Sequence, residues 1–346
     1  MDAISTGPAG ERALLEAARE GSEDAYRRLV EPHRAELHAH CYRMLGSVHD
    51  ADDALQETLL RAWRGLPGFA GRSSLRTWLY KIATNACLAL IGRRPKRVLP
   101  VDFGPAADPH DDSEWPIVES VWLEPYPDEA VGIEGGPFSP EAAYDQREAV
   151  ELAFVAALQH LPPRQRAVLI MRDVLGFSAR ETAESLSTTV PSVNSALQRA
   201  RAAVEERVPE RSQQATLRAL GDERLRQLVE RYADAWERAD ADAILAMLAA
   251  DATFAMPPYS TWFRGRDAIA AFLPQGPFTL RWRFLPVRSN GQVAFATYGW
   301  DRAAGAYKAH AIDVLTLEGE RVKDVTAFLT PDAFRGFGLP DHVVSK

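Results

Sequence analysis

Along residues 10–97 the apolar positions recur at helical spacing and proline is sparse, so this stretch reads as a first helical block. Residues 98–140 lose that period and fill with Pro, Gly and acidic side chains, the composition of a linker. A second helical block occupies 141–211. Leu217 to Ala250 is helical again, with Leu225, Leu228, Val229, Tyr232, Trp236, Ile244 and Leu248 on one apolar face. From Ala252 the period changes to two. Strands are expected at Thr279–Pro286, Gln292–Trp300, Tyr307–Glu318 and Arg321–Leu329, separated by turns at Asn290-Gly291 and Glu318-Gly319. The expected fold class is therefore multidomain: two all-α domains, then a helix-first α+β domain over 217–332 and a short tail, 333–346. No internal repeat is visible.

The most specific local signal lies between Leu161 and Arg207. Ser178 followed by Glu181 fits a capping box. Ala179, Thr182, Ala183 and Leu186 then face inward. Ser187-Thr188-Thr189 breaks that helix with side chains that compete for backbone hydrogen bonds. Thr189 can cap the next helix, with Pro191 in its first turn. Val193, Leu197, Ala200 and Val204 follow at intervals of four, three and four, forming one buried stripe. The other face carries Ser192, Asn194, Ser195, Gln198, Arg199 and Arg201. Two helices joined by a tight turn are the pattern of a helix-turn-helix, whose second helix reads the major groove. An amphipathic helix with a solvated polar face shows the same periodicity, but it does not need the turn.

In the first block, DADDALQETLLRAW opens on acids, which favour a helix N-terminus. Ala54, Leu55, Leu59, Ala62 and Trp63 can pack inward, leaving Asp53, Gln56, Glu57 and Leu60 outside or at the side. FAGRSSLRTWLYKIATNAC then interleaves aromatics with Arg72, Arg76, Lys81 and Asn85, ahead of Arg93, Arg94, Lys96 and Arg97. Such surfaces can stack splayed bases while cations hold the backbone. Taken singly, Trp78 and Tyr80 are as compatible with a core.

The chain has 346 residues, enough for two or three domains. Its 46% hydrophobic and 25% charged content is ordinary for a globular protein. No apolar run is long enough for a membrane span, and the N-terminus lacks a signal pattern, so a cytoplasmic location is expected. Cys41 and Cys87 make no metal-ligand spacing and are expected as small core residues; no metal and no cofactor is expected. Net charge is −8, which argues against a generally sticky nucleic-acid binder. The charge is unevenly placed. Val98 to Gln146 holds no Lys or Arg, but it holds Asp102, Asp108, Asp111, Asp112, Glu114, Glu119, Glu124, Asp128, Glu129, Glu134, Glu141 and Asp145. This run directly follows the basic Arg93–Arg97 patch, and attraction between the two is expected.

The two helical blocks together resemble a bacterial sigma factor of the extracytoplasmic-function group. The strings are DADDALQETLLRAW, FAGRSSLRTWLYKIATNACLALIGRRPKR and LPPRQRAVLIMRDVLGFSARETAESL, followed by VNSALQRAR. The resemblance implies that 10–97 is sigma region 2 and 141–211 sigma region 4, with core RNA polymerase and promoter DNA as partners. It implies that Asp53, Gln56, Glu57 and Leu60 bind polymerase. Phe69, Arg72, Ser73, Arg76, Trp78, Lys81 and Asn85, with Arg93 and Arg94, would lie at the −10 element. Ser192, Asn194, Ser195, Gln198, Arg199 and Arg201 would read the −35 element. Most relatives carry a cation where this chain has Asn194 and Ala196, which implies fewer phosphate contacts.

Residues 217–332 resemble SnoaL-like domains of the NTF2-like superfamily, curved sheets with helices around a conical pocket. The carrying segments are ALGDERLRQLVERYADAWERADADAILAMLAADATFAMPPYSTWFRGRDAIAAFL and HAIDVLTLEGERVKDVTAFL. Candidate pocket groups are Trp262, Trp282, Tyr298, Trp300, His310 and Asp313. A small-molecule ligand is a candidate partner. His310 and Asp313 are three apart on a strand, so without a bulge they face opposite ways. No enzyme activity and no catalytic residue is expected. Sigma factors with this extra domain form a subgroup in which it regulates in cis, so no separate anti-sigma factor is required. Trp122, Leu123, Pro125 and Tyr126 in the linker, and Phe334 and Phe337 in the tail, resemble its short signatures. The linker motif is expected to dock onto the third domain. Two other readings remain at this point: a stand-alone helix-turn-helix regulator with a sensing domain, and a cyclase- or isomerase-type enzyme.

Overall fold

The computed structural model describes residues 8–109, 121–131 and 146–344. The chain divides into two compact units. One gathers the residues up to Arg94 with Leu161–Ala202; the other gathers Pro95–His160 with Ala203 onward.

The first unit is helical. Its N-terminal part comprises Pro8–Arg19, Glu23–Val30, Arg34–Leu45, Val48–Gly65 and Leu75–Ile91. Three of these helices begin on a serine that accepts the backbone N–H three residues later: Ser22 from Ala25, Ser47 from Asp50 and Ser74 from Thr77, at 3.0–3.2 Å. Each such cap stabilises its helix by about 1 kcal/mol. Leu37, Tyr42, Met44, Leu79 and Tyr80 fill the core, and Cys41 and Cys87 are buried there as free thiols. The same unit includes Pro163–Leu169, a π-helical turn Ile170–Val174, Ala179–Ser185 and most of Val190–Glu205. Buried Arg166 ties this part down by donating to the carbonyls of Met44 and Leu161. Phe177 sets its ring against Tyr80, edge to face, 5.4 Å between centroids.

The second unit contains the sheet. The single helical stretch expected over 217–250 is three helices: Gln213–Leu220, Asp222–Glu237 and Ala241–Met247. Gly221 separates the first two at φ +77°. Ala239, at φ +54°, and Asp240, which caps Ala243 at 3.0 Å, separate the next two. Strand β1, Leu248–Ala255, follows at once, then β2, Trp262–Arg264. β3 is Trp282–Ser289, β4 Gln292–Asp301, β5 Ala306–Glu318, β6 Arg321–Phe328 and β7 His342–Val343. The sheet order is β2-β1-β6-β5-β4-β3, with β7 paired to β5. β1 and β6 run parallel and the other pairs antiparallel. β3 begins three residues later than the pattern suggested and runs through Pro286. That proline is tolerated because β3 lies at the sheet edge.

One face of the sheet packs on helix Asp222–Glu237 through aromatic rings. Tyr232 stacks on Phe295 at 5.1 Å and Trp236 on Phe284 at 5.5 Å. Aromatic pairs of this kind add about 0.5–1.5 kcal/mol each beyond area burial. On the other side, Phe334 is fully buried edge-on to Tyr298, whose hydroxyl donates to the Pro340 carbonyl at 3.1 Å. Phe337 is buried in the same tail segment.

The linker joins this unit at its hairpin tip. Asn290 and Gly291 both have positive φ, +56° and +67°, as the two-residue turn requires. Asn290 N–H donates to the Tyr126 carbonyl, and its Oδ1 accepts the Tyr126 N–H, both at 2.8 Å. Its Nδ2 donates to the Val150 carbonyl at 2.8 Å. Gln292 accepts the Leu152 N–H at 2.8 Å, and Asp128 accepts the Gly291 N–H at 2.7 Å. A Cβ on Gly291 would sit 2.9 Å from the Arg147 carbonyl, so no side chain fits there. Upstream, Val98 and Trp122 form a parallel bridge. Trp122, Leu123, Pro125 and Tyr126 are all buried.

The basic patch divides. Arg97 is buried, donates to the Trp122 carbonyl at 3.1 Å and lies 3.7 Å from Glu124 in the linker. Arg94 instead pairs with Asp50 and, at 3.5 Å, with Asp53. Of the linker acids, Asp111, Asp112, Glu114, Glu119, Glu134, Glu141 and Asp145 lie outside the described residues.

Asn290→Ala is expected to leave the buried Tyr126 N–H and Val150 carbonyl without these partners, at about 1–3 kcal/mol each. Amide exchange at Tyr126 should accelerate by about tenfold or more. Unchanged protection there would show that the clamp is not what holds the linker.

Candidate nucleic-acid interface and C-terminal cavity

The helix Val190–Glu205 buries Val193, Leu197, Ala200 and Val204 and exposes Ser192, Asn194, Ser195, Gln198, Arg199 and Arg201. The helix before it starts on the full capping box: Ser178 accepts the Glu181 N–H at 3.1 Å, and Glu181 accepts the Ser178 N–H at 2.8 Å. The Ser178 hydroxyl, donating to the Glu181 carboxyl at 2.7 Å, and then the Ser178 N–H hold that carboxyl below its ordinary range. Ser187 sits at φ +51° in the turn, and Thr189 accepts the Ser192 N–H at 3.4 Å. Arg201 forks onto Asp173 of the π-helical turn, with N–O distances of 2.8 and 2.7 Å. The pair is surface-exposed, so it costs only about 0–1 kcal/mol to exchange for a phosphate.

On helix Val48–Gly65, Asp53, Gln56, Glu57 and Leu60 are exposed, while Ala51, Ala54, Leu55, Thr58 and Ala62 are buried. Leu60 is 50% exposed, a large apolar side chain left in water amid polar neighbours. On and before helix Leu75–Ile91, Arg72, Ser73, Lys81 and Asn85 are exposed and Trp78 is half-buried. Lys81 and Asn85 are one turn apart and share a face. Arg93 is exposed.

Two members of this group are placed differently from the expectation. Phe69 is buried, its ring 4.9 Å from Trp78, so it supports the loop and does not present a stacking face. Arg76 is half-buried and committed inward. Its Nε donates to Glu36 at 2.9 Å and its guanidinium lies over the Tyr80 and Phe177 rings at 4.8 and 5.4 Å. Burial pushes the Glu36 carboxyl up, but His33 and Arg76 outweigh it and hold the group below its ordinary value. No local spacing marks this Glu36 network, because Arg76 and Glu36 are forty residues apart.

The sheet unit encloses a cavity of about 530 Å³. Trp282, His310 and Asp313 line it. Trp262, Tyr298 and Trp300 do not. Trp262 Nε1 donates to the Gly104 carbonyl at 2.9 Å, Tyr298 faces the tail, and Trp300 packs on Tyr307 at 5.0 Å. Period-two counting sets His310 and Asp313 on opposite sides unless a bulge intervenes, and β5 carries one: Thr297 pairs with Ala311 but Tyr298 with Ala309. This bulge takes up His310 and brings it to the same side as Asp313. The other aromatic lining, including Trp236, Phe254, Phe272 and Phe284, comes from elements whose inward faces the sequence did not assign to a cavity. Burial pushes the Asp313 carboxyl up to about 8 and lowers the His310 imidazole. Both groups are thus biased to their neutral forms.

A helix-turn-helix, a second helical block with an exposed polar face and a cavity-bearing sheet domain define a multidomain transcription factor. The Sigma-70 region 2 family matches residues 29–97, Sigma-70, region 4 matches 151–204 and the SnoaL-like domain matches 229–325. The chain is 44% identical over 323 residues to the ECF RNA polymerase sigma factor SigG of Mycobacterium tuberculosis (strain ATCC 25618 / H37Rv), covering 91% of this chain and 84% of SigG. It is 27% identical to SigW of Bacillus subtilis (strain 168) over 55% of this chain and 92% of SigW. The crystal structure of the extracytoplasmic function sigma factor SigJ of Mycobacterium tuberculosis shares the fold, with a TM-score of 0.55 at 21% identity over 89% of this chain and 97% of that one. The chain belongs to the extracytoplasmic-function RNA polymerase sigma factors, and it carries a SnoaL-like C-terminal domain.

The state of Asp313 sets a pH dependence. Its carboxyl titrates near 4 when unfolded and near 8 when folded. The folded chain keeps a proton that the unfolded chain has lost, so stability falls as pH rises from about 4 to about 8. Asp313→Asn is expected to flatten that slope and to raise denaturation midpoints at pH 7, with no gain near pH 4. Equal slopes for the two proteins across this window would refute the assignment.

Proposed function

We propose that the chain binds core RNA polymerase through Asp53, Gln56, Glu57 and Leu60. It contacts the −10 element through Arg72, Ser73, Trp78, Lys81, Asn85, Arg93 and Arg94. It reads the −35 element through Ser192, Asn194, Ser195, Gln198, Arg199 and Arg201. Phe69 and Arg76 support the −10 surface from beneath. The observation that carries this reading is the recognition helix, whose candidate reading residues are all exposed beside a fully buried apolar stripe. Short polar groups near its start suit base edges, and arginines further on suit phosphates. Arg201 rests in an exchangeable ion pair until DNA is present.

The chain acts in the cytoplasm as an initiation factor and not as an enzyme. Its C-terminal domain regulates it in cis, without a separate anti-sigma factor. The support for cis regulation is the linker clamp, which builds the segment between the two sigma regions into the SnoaL-like domain.

In vitro transcription with core polymerase, on a template holding the chain's own upstream region, tests both parts. Truncation after Arg211 should change output by at least about fivefold, the lower end of ordinary coupling energies. Equal output with and without residues 212–346 would remove the regulatory role. Arg199→Ala in the full chain should weaken promoter binding by the holoenzyme and lower its salt slope by about 1. An unchanged slope would take Arg199 off the phosphates.

A further inference from the structure

The sheet has a second cavity, on the face turned away from the aromatic one. Alternate residues of the same strands line the two: Phe254 and Phe263 face the first, Thr253, Ala255 and Trp262 the second. Its volume is about 380 Å³, within the roughly 300–1,000 Å³ range of small-molecule sites. The floor is a polar row set by strand register. Arg264 pairs with Thr253, Thr253 with Asp324 and Asp324 with Thr316, across β2, β1, β6 and β5. In the next row Trp262 pairs with Ala255 and Ala255 with Thr326. Thr253 donates to Asp324 at 2.8 Å, and burial pushes that carboxyl up. Thr326 is 6% exposed, and its hydroxyl has no hydrogen-bond partner among the described residues. A buried polar group left open costs free energy that a matching ligand group recovers.

The roof is helix Leu152–His160, which turns Leu152, Ala153, Ala156 and Ala157 toward the space. Alanine side chains there are too short to fill it. The rim carries both signs of charge. Arg207 and Arg264 are exposed on it, and so are Asp102 and Glu206. His160 also lines the space, 3.4 Å from Asp102 and 2.8 Å from the Lys96 amine. A charged molecule would meet its own sign at this rim whichever sign it carried. Beside Trp262 and His160 the lining is aliphatic, charged or hydroxyl-bearing, so it offers a flat aromatic molecule few rings to stack on. A hydroxyl both donates and accepts, so a row of ligand hydroxyls can serve Asp324, Thr316 and Thr326 together. The C–H face of the same molecule suits the alanines.

We propose that this second cavity binds a neutral polyhydroxylated molecule of the sugar or cyclitol class, its hydroxyls on the Asp324 and Thr326 floor and its C–H face on the alanine roof, and that the bound molecule fastens residues 99–102 and 206–209 to the sheet. Both of these segments line the space. One precedes the helix-turn-helix in the chain and the other follows it, so an occupant ties down the chain on both sides of that motif. The inference does not rest on the polymerase reading, since every residue it uses belongs to the second unit.

The test titrates the full-length chain calorimetrically with myo-inositol, D-glucose and maltose, and with two charged relatives, glucose 6-phosphate and protonated glucosamine. At least one neutral probe should bind one-to-one with a Kd of about 1 mM or tighter, and about tenfold tighter than either charged relative. Thr326→Val removes a hydroxyl that no described protein group uses, so it should keep the fold and weaken that binding by about fivefold. Ala153→Leu, on the half-buried roof, should block it. Asp313→Asn, in the aromatic cavity, should leave it unchanged. Hydrogen exchange on the wild-type chain keeps the test independent of how the variants fold. The bound probe should slow exchange at the Asp102 and Arg207 amides, which donate to the Leu99 and Val204 carbonyls at 3.0 and 2.9 Å. Four results would each overturn the proposal: no saturable binding of any neutral probe, tighter binding of a charged one, binding that Asp313→Asn removes and Thr326→Val and Ala153→Leu do not, or exchange unchanged at both amides.

Discussion

The C-terminal unit depends on one buried side chain. Asn290 lies at the tip of the β3–β4 hairpin and satisfies the carbonyl and N–H of Tyr126 in the linker and the Val150 carbonyl beyond it, with its own N–H, Oδ1 and Nδ2. A backbone polar group taken from water must be paired, and the linker has no sheet or helix of its own at Tyr126 to do so. The hairpin tip supplies what a neighbouring strand would. The turn needs two residues at positive φ, the second needs no side chain, and the first needs an amide that both donates and accepts. Asn-Gly meets all three conditions. A dipeptide that serves in most proteins only to reverse the chain here also binds another segment.

The sigma surfaces follow a different logic. Most of their candidate residues sit on helices of 16 to 18 residues, with apolar stripes fixing which face is outward. Several charged members are already paired within the chain: Arg94 with Asp50 and Asp53, Arg201 with Asp173. The exposed Arg201–Asp173 pair holds its side chains near one geometry with little free energy and can pass to a phosphate without a large penalty. Arg94 is held more firmly, because Asp50 is buried and would be left uncompensated. Arg76 is committed to the interior by burial, two rings and Glu36.

Local chemistry was legible in the sequence wherever neighbours in the chain are neighbours in space. The Ser178–Glu181 box, the Val193–Val204 stripe, the exposed Asp53–Leu60 face and the Asn290-Gly291 turn all involve residues a few positions apart. The resemblance supplied what spacing could not, namely that two helical blocks make one promoter-reading protein. Long-range placement was less legible. Phe69 is buried because Trp78 covers it, and Arg76 turns inward because Glu36 lies beneath it. The helices within 213–247 break at Gly221 and Ala239, where backbone conformation interrupts a continuous apolar face. The side that His310 faces was hidden for a similar reason. One inserted residue near His310 inverts the side on which every preceding β5 residue falls, and nothing in the apolar-polar alternation marks it.

The segment joining the two sigma regions is fastened at separate stations: the Val98–Trp122 bridge within it, the Gly104–Ala107 contacts with Trp262, the Tyr126 clamp and, just beyond the linker, the bonds of Val150 and Leu152 to the hairpin. A tether laced in this way does not have one length. Each station that opens adds the contour of the chain between its neighbours, at roughly 3.3 Å per residue. Reach between the two sigma regions thus becomes a stepped quantity, set by how many stations are closed.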